Sequence, residues 1–240
     1  MKGVIAGRAP AATVVDVSHG IPPQDVLAGA LVLAAAVPYF PVGSIHVAVV
    51  DPGVGGARRA ICVETSAGLL VGPDNGLLSL AAPTPAIRRV VHLTEESFFL
   101  PSRSQTFHGR DVFAPIAAAL AIGTDPGALG PVVSEFLRLR VPEPTTEGAR
   151  IRGEVIYVDH FGNLVTNVPA AMLPPGNVIV RLGGALVAGL ATSYAGVAVG
   201  QPLAVINSWD LLEIAVRDRS ALATLGADVG SEVCVEPAGA

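Results

Sequence analysis

The amino-acid sequence predicts an α/β domain with a largely parallel or mixed sheet over residues 1–145, followed by a small all-β barrel over residues 150–240. Three observations lead there. Strand and helix signals alternate through the first half, as they do where helices cover a sheet. In the second half short apolar strands follow one another closely with no amphipathic helix between them, the texture of a barrel or sandwich. The length, 240 residues, is long for one compact domain and comfortable for two unequal ones.

In chain order, Thr13–Val17 is a short β-branched run that reads as a strand. Pro22-Pro23-Gln24-Asp25 opens an Ala- and Leu-rich helix ending near Val37. Ile45–Val50 is nearly all apolar, like a strand buried on both faces of a parallel sheet, and runs into the loop Asp51–Gly56. Strands are expected next at Ala60–Glu64, Leu69–Val71 and Arg88–Leu93. Asp111–Ala121 is an apolar helix with Pro115 in its first turns, where proline is tolerated. Val141–Arg150, with two prolines, reads as a linker. Beyond it the strand signals are Gly153–Asp159, Leu164–Asn167, Val178–Leu182, Leu203–Asn207, Leu211–Val216 and Glu232–Glu236.

Composition narrows the function classes. With 51% hydrophobic and 15% charged residues, the chain is not of the disordered kind. Fifteen basic against 20 acidic residues give a net charge of −5, and Lys2 is the only lysine. Nothing there forms the basic face that a nucleic-acid binder needs. Val26–Val50 carries no Asp, Glu, Lys or Arg, but Pro38 and Pro41 break it, and a membrane-spanning helix needs about 20 unbroken apolar residues. The opening MKGVIAGRAP lacks the apolar core of a signal peptide. Cys62 and Cys234 form no CxxC and read as reduced core thiols. The expectation is a cytoplasmic protein with no nucleic-acid or membrane partner.

Three polar clusters interrupt this apolar chain. Asp51-Pro-Gly-Val-Gly-Gly-Ala-Arg58 follows the buried strand, where ligands sit in open α/β sheets. Asp51 and Arg58 could serve a ligand there, or Asp51 could merely cap a tight turn beside a solvated arginine. In Thr106-Phe-His-Gly-Arg-Asp111, His108 and Asp111 could be metal ligands or a turn residue and a helix N-cap. No second ligand pair completes a metal site, and no GxSxG supports a serine hydrolase. Asp159-His-Phe-Gly-Asn163 could bind a ligand or make a hairpin. His19, His46 and His92 have no polar company in sequence and read as structural.

Taken together the clusters are more telling. VVDPGVGGARR, GPDNGLLS, TFHGRDVFAP, VDHFGNLVTN and NSWDLLEIAV, in that order, closely resemble the S-adenosyl-L-methionine hydroxide adenosyltransferase family. These are adenosine-forming S-adenosyl-L-methionine hydrolases related to fluorinases and chlorinases. The resemblance spans essentially the whole chain and implies an α/β domain followed by a β-barrel. It places the family's Asp-Arg-His triad on Asp51, Arg58 and His108. It implies that Asp159 and Asn163 hold the methionine moiety and that Asn207 and Ser208 lie in the segment lining the adenine. Asp74 and Asn75 match a recurring turn with a supporting part in substrate binding. It also implies a homotrimer with the active site at the subunit interface. No cofactor and no metal are expected, since S-adenosyl-L-methionine is the substrate.

Attack at ribose C5′ of a sulfonium expels neutral methionine, which needs no general acid. The site must supply a positioned, activated water and exclude other water. A histidine in reach can take or share the proton, with the Asp orienting it and the Arg favouring hydroxide character. A full triad favours water over halide as nucleophile. The alternatives are a halide-dependent adenosyltransferase and a weakly catalytic binder of S-adenosyl-L-methionine or nucleosides. Two departures stand out. Relatives open with a strand ending in Thr-Asp-Phe-Gly, whose Asp grips the ribose, whereas Met1–Ile5 resembles the second half of the helix that follows it. The expectation is therefore a start assigned downstream, a missing first strand and weak substrate binding. Relatives also carry Gly at the position of Asp210.

Overall fold

The structure, a computed structural model, describes residues 1–239. They form two compact units, divided between Leu139 and Arg140. Among the described residues no helix is long and apolar enough to cross a membrane.

In the first unit helix α1 (Lys2–Arg8) precedes α2 (Val26–Ala36). The latter starts later than its prolines suggest, because Gln24 adopts a left-handed φ of 68°. Asp25 then caps it by accepting from the Ala28 N–H at 2.9 Å. Strands β1 (Ser44–Val47), β2 (Ala60–Thr65), β3 (Gly68–Pro73), β4 (Ile87–His92) and β5 (Val132–Val133) form one sheet in the order β1-β3-β2-β4-β5. Only β1 and β3 run parallel, and the other three pairings are antiparallel. The sheet is thus mixed rather than largely parallel, because a tight hairpin turns β2 back onto β3 and the 74–86 connection then carries the chain past β2, which β4 flanks on its other side, antiparallel.

Alternating strand residues feed two apolar cores. Ile61, Val63 and Leu70 pack with Ala30 and Leu33 of α2, while Cys62 and Val71 pack with Phe113, Ile116 and Leu120. Ile116 and Leu120 belong to α3 (Ala114–Ala121), which a single π-helical turn over Gly109–Phe113 introduces. Helices therefore cover both faces of the sheet, and α1 lies on α3.

Thr13–Val17 is not a strand. Its backbone joins no ladder, and Val14, Val15 and Val17 are exposed. A β-branched run becomes a strand only with a neighbour to pair with, and β1, at the sheet edge, pairs with β3 alone.

In the second unit β6 (Thr145–Glu147), β7 (Arg150–Val158), β8 (Leu164–Pro169), β9 (Val178–Leu182), β10 (Ala185–Ala188), β11 (Pro202–Ile206), β12 (Leu211–Val216) and β13 (Glu232–Pro237) are joined antiparallel. Their order is β10-β9-β13-β7-β8-β12-β11, with β6 paired to β7. The Ala191 N–H donates to the Ala204 carbonyl at 2.8 Å and nearly closes the barrel. Val155, Leu164, Val180, Leu212, Ile214 and Val233 fill it. Part of the expected linker is therefore the β6–β7 hairpin. A five-residue helix, α4 (Ala221–Leu225), also interrupts the strands.

Candidate active site

In the first unit the loop after β1 places Asp51. The Asn75 amide Nδ2 donates to the Val50 carbonyl at 2.8 Å, and its Oδ1 accepts from the Leu77 N–H at 3.1 Å. That ties the loop's entry to the turn after β3. Asp74 lies beside it, accepting from Arg59 Nε at 2.7 Å and from the Leu137 N–H at 2.7 Å. Both side chains thus work inside the fold, fixing the ground on which Asp51 stands.

Arg58, just before β2, is clamped by Asp51. Its Nε donates to Oδ1 at 2.9 Å and its Nη2 to Oδ2, a bidentate pair in which both side chains are at most 10% exposed. The same Nη2 lies 2.9 Å from His108 Nδ1, and the guanidinium carbon sits 5.5 Å from the centre of the Phe113 ring. Arginine has no acceptor, so it donates and Nδ1 must be the bare nitrogen. His108 therefore carries its proton on Nε2. Burial, followed by the Arg58 charge, pushes its pKa below the ordinary 6.5, against the pull of Asp51 and Asp111. Its Nε2 is shielded from solvent and has no hydrogen-bond partner among the described residues. A buried N–H without an acceptor is costly, so this donor is aimed at something a ligand or water must bring.

Two further features hold His108. Asp111 is fully buried and accepts from the Ser104 N–H at 2.7 Å and from Arg110 Nη2 at 3.0 Å. It anchors the loop rather than capping an ordinary helix turn, and among the described residues no His, Cys, Asp and Glu group can hold a metal ion. Gly55 has φ 76°, and a Cβ there would stand 2.3 Å from the Gln105 carbonyl oxygen. The Asp51 loop and the His108 loop meet at that glycine. A cleft of about 470 Å³ opens beside Asp51, lined also by Ser18, His19, Gln24, Val49 and Pro52. His19 is exposed and contacts Asp16 at 3.2 Å, so it is no core histidine. His46 is buried against the edge of Phe40.

In the second unit Asp159 organises the β7–β8 turn. Its Oδ1 accepts from the Phe161 and Asn163 N–H groups at 2.9 and 2.8 Å, and its Oδ2 accepts from Asn163 Nδ2 at 2.9 Å. Asn207 does the same for the β11–β12 turn, its Oδ1 accepting from the Trp209 and Leu211 N–H groups at 2.9 and 3.2 Å. Ser208 is exposed at the tip. Sequence reasoning missed Glu213, a buried carboxylate that accepts from Tyr194 Oη at 2.7 Å and Asn207 Nδ2 at 3.2 Å. The one signal was an acidic residue inside an otherwise apolar strand.

Similarity to known proteins decides the family. The model of the SAM hydroxide adenosyltransferase N-terminal domain matches residues 1–130, and that of the C-terminal domain matches residues 153–234. The chain belongs to the SAM hydroxide adenosyltransferase family. An (R)-S-adenosyl-L-methionine hydrolase of Salinispora tropica is 43% identical over 236 residues, covering 97% of this chain and 90% of that protein. The crystal structure of an uncharacterized conserved protein from Thermotoga maritima superposes with a TM-score of 0.90 at 32% identity. That match covers 98% of this chain and 92% of the other. A fluorinase of an Actinoplanes species is more distant, 27% identical over 70% of this chain and 65% of its own. Of the sequence-predicted residues of this adenosyltransferase-family chain, the first unit brings Asp51, Arg58 and His108 into direct contact. It sets Asp74 and Asn75 behind them. The second unit joins Asp159 to Asn163, and Asn207 to Glu213.

Proposed function

We propose that this chain hydrolyses S-adenosyl-L-methionine to adenosine and L-methionine. The observation that carries the proposal is the assembled Asp51–Arg58–His108 relay, ending in an unpartnered Nε2–H, in a chain of this family. Asp51 fixes the guanidinium, and Arg58 fixes the tautomer. With Nδ1 engaged and Nε2 protonated, His108 is a hydrogen-bond donor to the nucleophilic oxygen rather than the base that takes its proton. A donor of this kind favours hydroxide over water, as does the positive sulfonium nearby. The water's proton leaves to bulk solvent, the hydroxide left behind attacks C5′, and the C5′–S bond breaks. Its electron pair stays on sulfur, so a cation and an anion yield two neutral products.

In the same proposal Asp159 and Asn163 hold the methionine moiety. Three N–H groups occupy Asp159, and a carboxylate offers about four acceptor positions, which leaves one for the α-ammonium. Asn207 and Ser208 line the adenine, the second N–H of the Asn207 amide being free to meet a ring nitrogen. Asp74 and Asn75 support the Asp51 loop. We propose further that the working form is a cytoplasmic homotrimer with the active site at the subunit interface. Cys62 and Cys234 are both free thiols, which suits a reducing compartment.

The test is incubation with S-adenosyl-L-methionine, with and without chloride, followed by chromatography. Adenosine and methionine in equal amounts, independent of chloride and lost in Asp51→Ala, support hydrolysis. A 5′-halogenated adenosine, or bound ligand with no product, overturns it.

A further inference from the structure

Glu213 sits on β12 between Leu212 and Ile214, which point into the barrel core. By strand alternation its carboxylate faces the other way, yet it is only 4% exposed. Among the described residues it has no basic partner. Instead each oxygen accepts from a neutral donor in a different loop, Oε1 from Tyr194 in the connection between β10 and β11 and Oε2 from Asn207 in the β11–β12 turn. The ladder explains the reach. Glu213 pairs with Val205, so Asn207 is its diagonal neighbour on the same face.

The turn it grips needs holding. Asp210 has a left-handed φ of 58°, a conformation that strains a non-glycine residue. The turn's own bonds, Asp210 N–H to the Asn207 carbonyl at 3.1 Å and the two N–H groups on Asn207 Oδ1, all converge on Asn207. If Asn207 rotates, the turn loses its centre and Ser208 and Trp209 move with it.

We propose that Glu213 is a positioning residue of the substrate site, clamping the Asn207–Asp210 turn to the Tyr194 loop so that Asn207 and Ser208 meet the substrate in one conformation. This rests on the assignment of Asn207 and Ser208 to substrate binding made above. Burial raises the Glu213 carboxyl above its usual range and nearby Asp159 adds to this, while the Tyr194 and Asn207 donors oppose it. The two donors are thus what compensates a buried acid. Gln can replace it: its Oε1 accepts from Asn207 while its Nε2–H donates to Tyr194, whose hydroxyl turns from donor to acceptor. Ala can do neither.

Trp209, the chain's one tryptophan, lies in this turn with its ring centre 5.4 Å from that of Tyr157, so its emission reports the turn directly. In Glu213→Ala we expect KM for S-adenosyl-L-methionine to rise about tenfold with kcat within about twofold, the signature of lost ground-state binding. Trp209 emission should shift to the red without any substrate. Glu213→Gln should restore most of both. Unchanged KM and emission in Glu213→Ala, or a kcat loss at constant KM, overturns the proposal. If Glu213→Ala fails to fold by circular dichroism, Tyr194→Phe removes one arm of the clamp. A raised KM and a shifted emission there support the proposal, and wild-type values for both overturn it. Wild-type protein with no turnover would sink the hydrolase assignment, while the emission of the variants would still decide whether Glu213 holds the turn.

Discussion

At the scale of a residue, the proton on His108 is the quantity that matters. Arg58 donates to Nδ1 at 2.9 Å, so protonating the ring would set an N–H against a guanidinium. Burial and Arg58 both disfavour the charged form and lower the pKa from 6.5. The neutral ring therefore persists below that pH, and activity should hold steady through 6.5 and fall only at lower values. A pH profile of kcat/KM measures this, and an acid limb centred above 6.5 would contradict the tautomer. His108→Ala removes the donor and should lower kcat about 100-fold, the loss typical for one preorganised hydrogen bond to a charged oxygen. Its melting temperature should fall modestly, since the variant also loses the hydrogen bond from Arg58 to Nδ1.

At the scale of elements, the active loops depend on one close approach. Gly55→Ala would set a Cβ 2.3 Å from the Gln105 carbonyl oxygen at a φ of 76°. The backbone must shift, and the shift lies between the loop of Asp51 and the loop of His108. We expect a loss of more than about 1 kcal/mol in stability together with a fall in kcat, whereas Gly3→Ala, with open space around it, should change neither. Denaturant unfolding and steady-state assays of the two variants decide it. The same elements show what a sequence can reveal. Runs such as Leu211–Val216 announce themselves because their apolar residues alone need a core. Thr13–Val17 has an equally good composition but no ladder partner, and pairing is not a local property. The strands at Val132–Val133 and Ala185–Ala188 are too short to carry a periodicity. Asp51, Arg58 and His108 were legible as motif words. Their order of contact, with Arg58 central, was not, because 50 residues separate Arg58 from His108. Glu213 stayed hidden because its partners, 19 and 6 residues away, are brought to it only by the fold, Tyr194 from the β10–β11 connection and Asn207 through the β11–β12 register.

At the scale of the whole molecule, the proposed homotrimer makes a prediction that neither unit makes alone. If the active site lies at the subunit interface, with His108 from one copy and Asp159 from its neighbour, two different inactive variants can repair each other. In a cyclic trimer each site draws on an ordered pair of neighbours. Co-expressing His108→Ala with Asp159→Ala in equal amounts should then leave roughly a quarter of the sites with both residues intact, since each position is wild type in half the copies. Trimers carrying both variants, isolated through two different affinity tags, hold roughly one intact site in three and should recover about a third of wild-type adenosine formation. Each variant alone should stay at its residual rate. A site complete within one copy has no intact version in such a mixture, so no recovery would place His108 and Asp159 on the same chain. A mass in solution of one chain rather than three would remove the interface altogether.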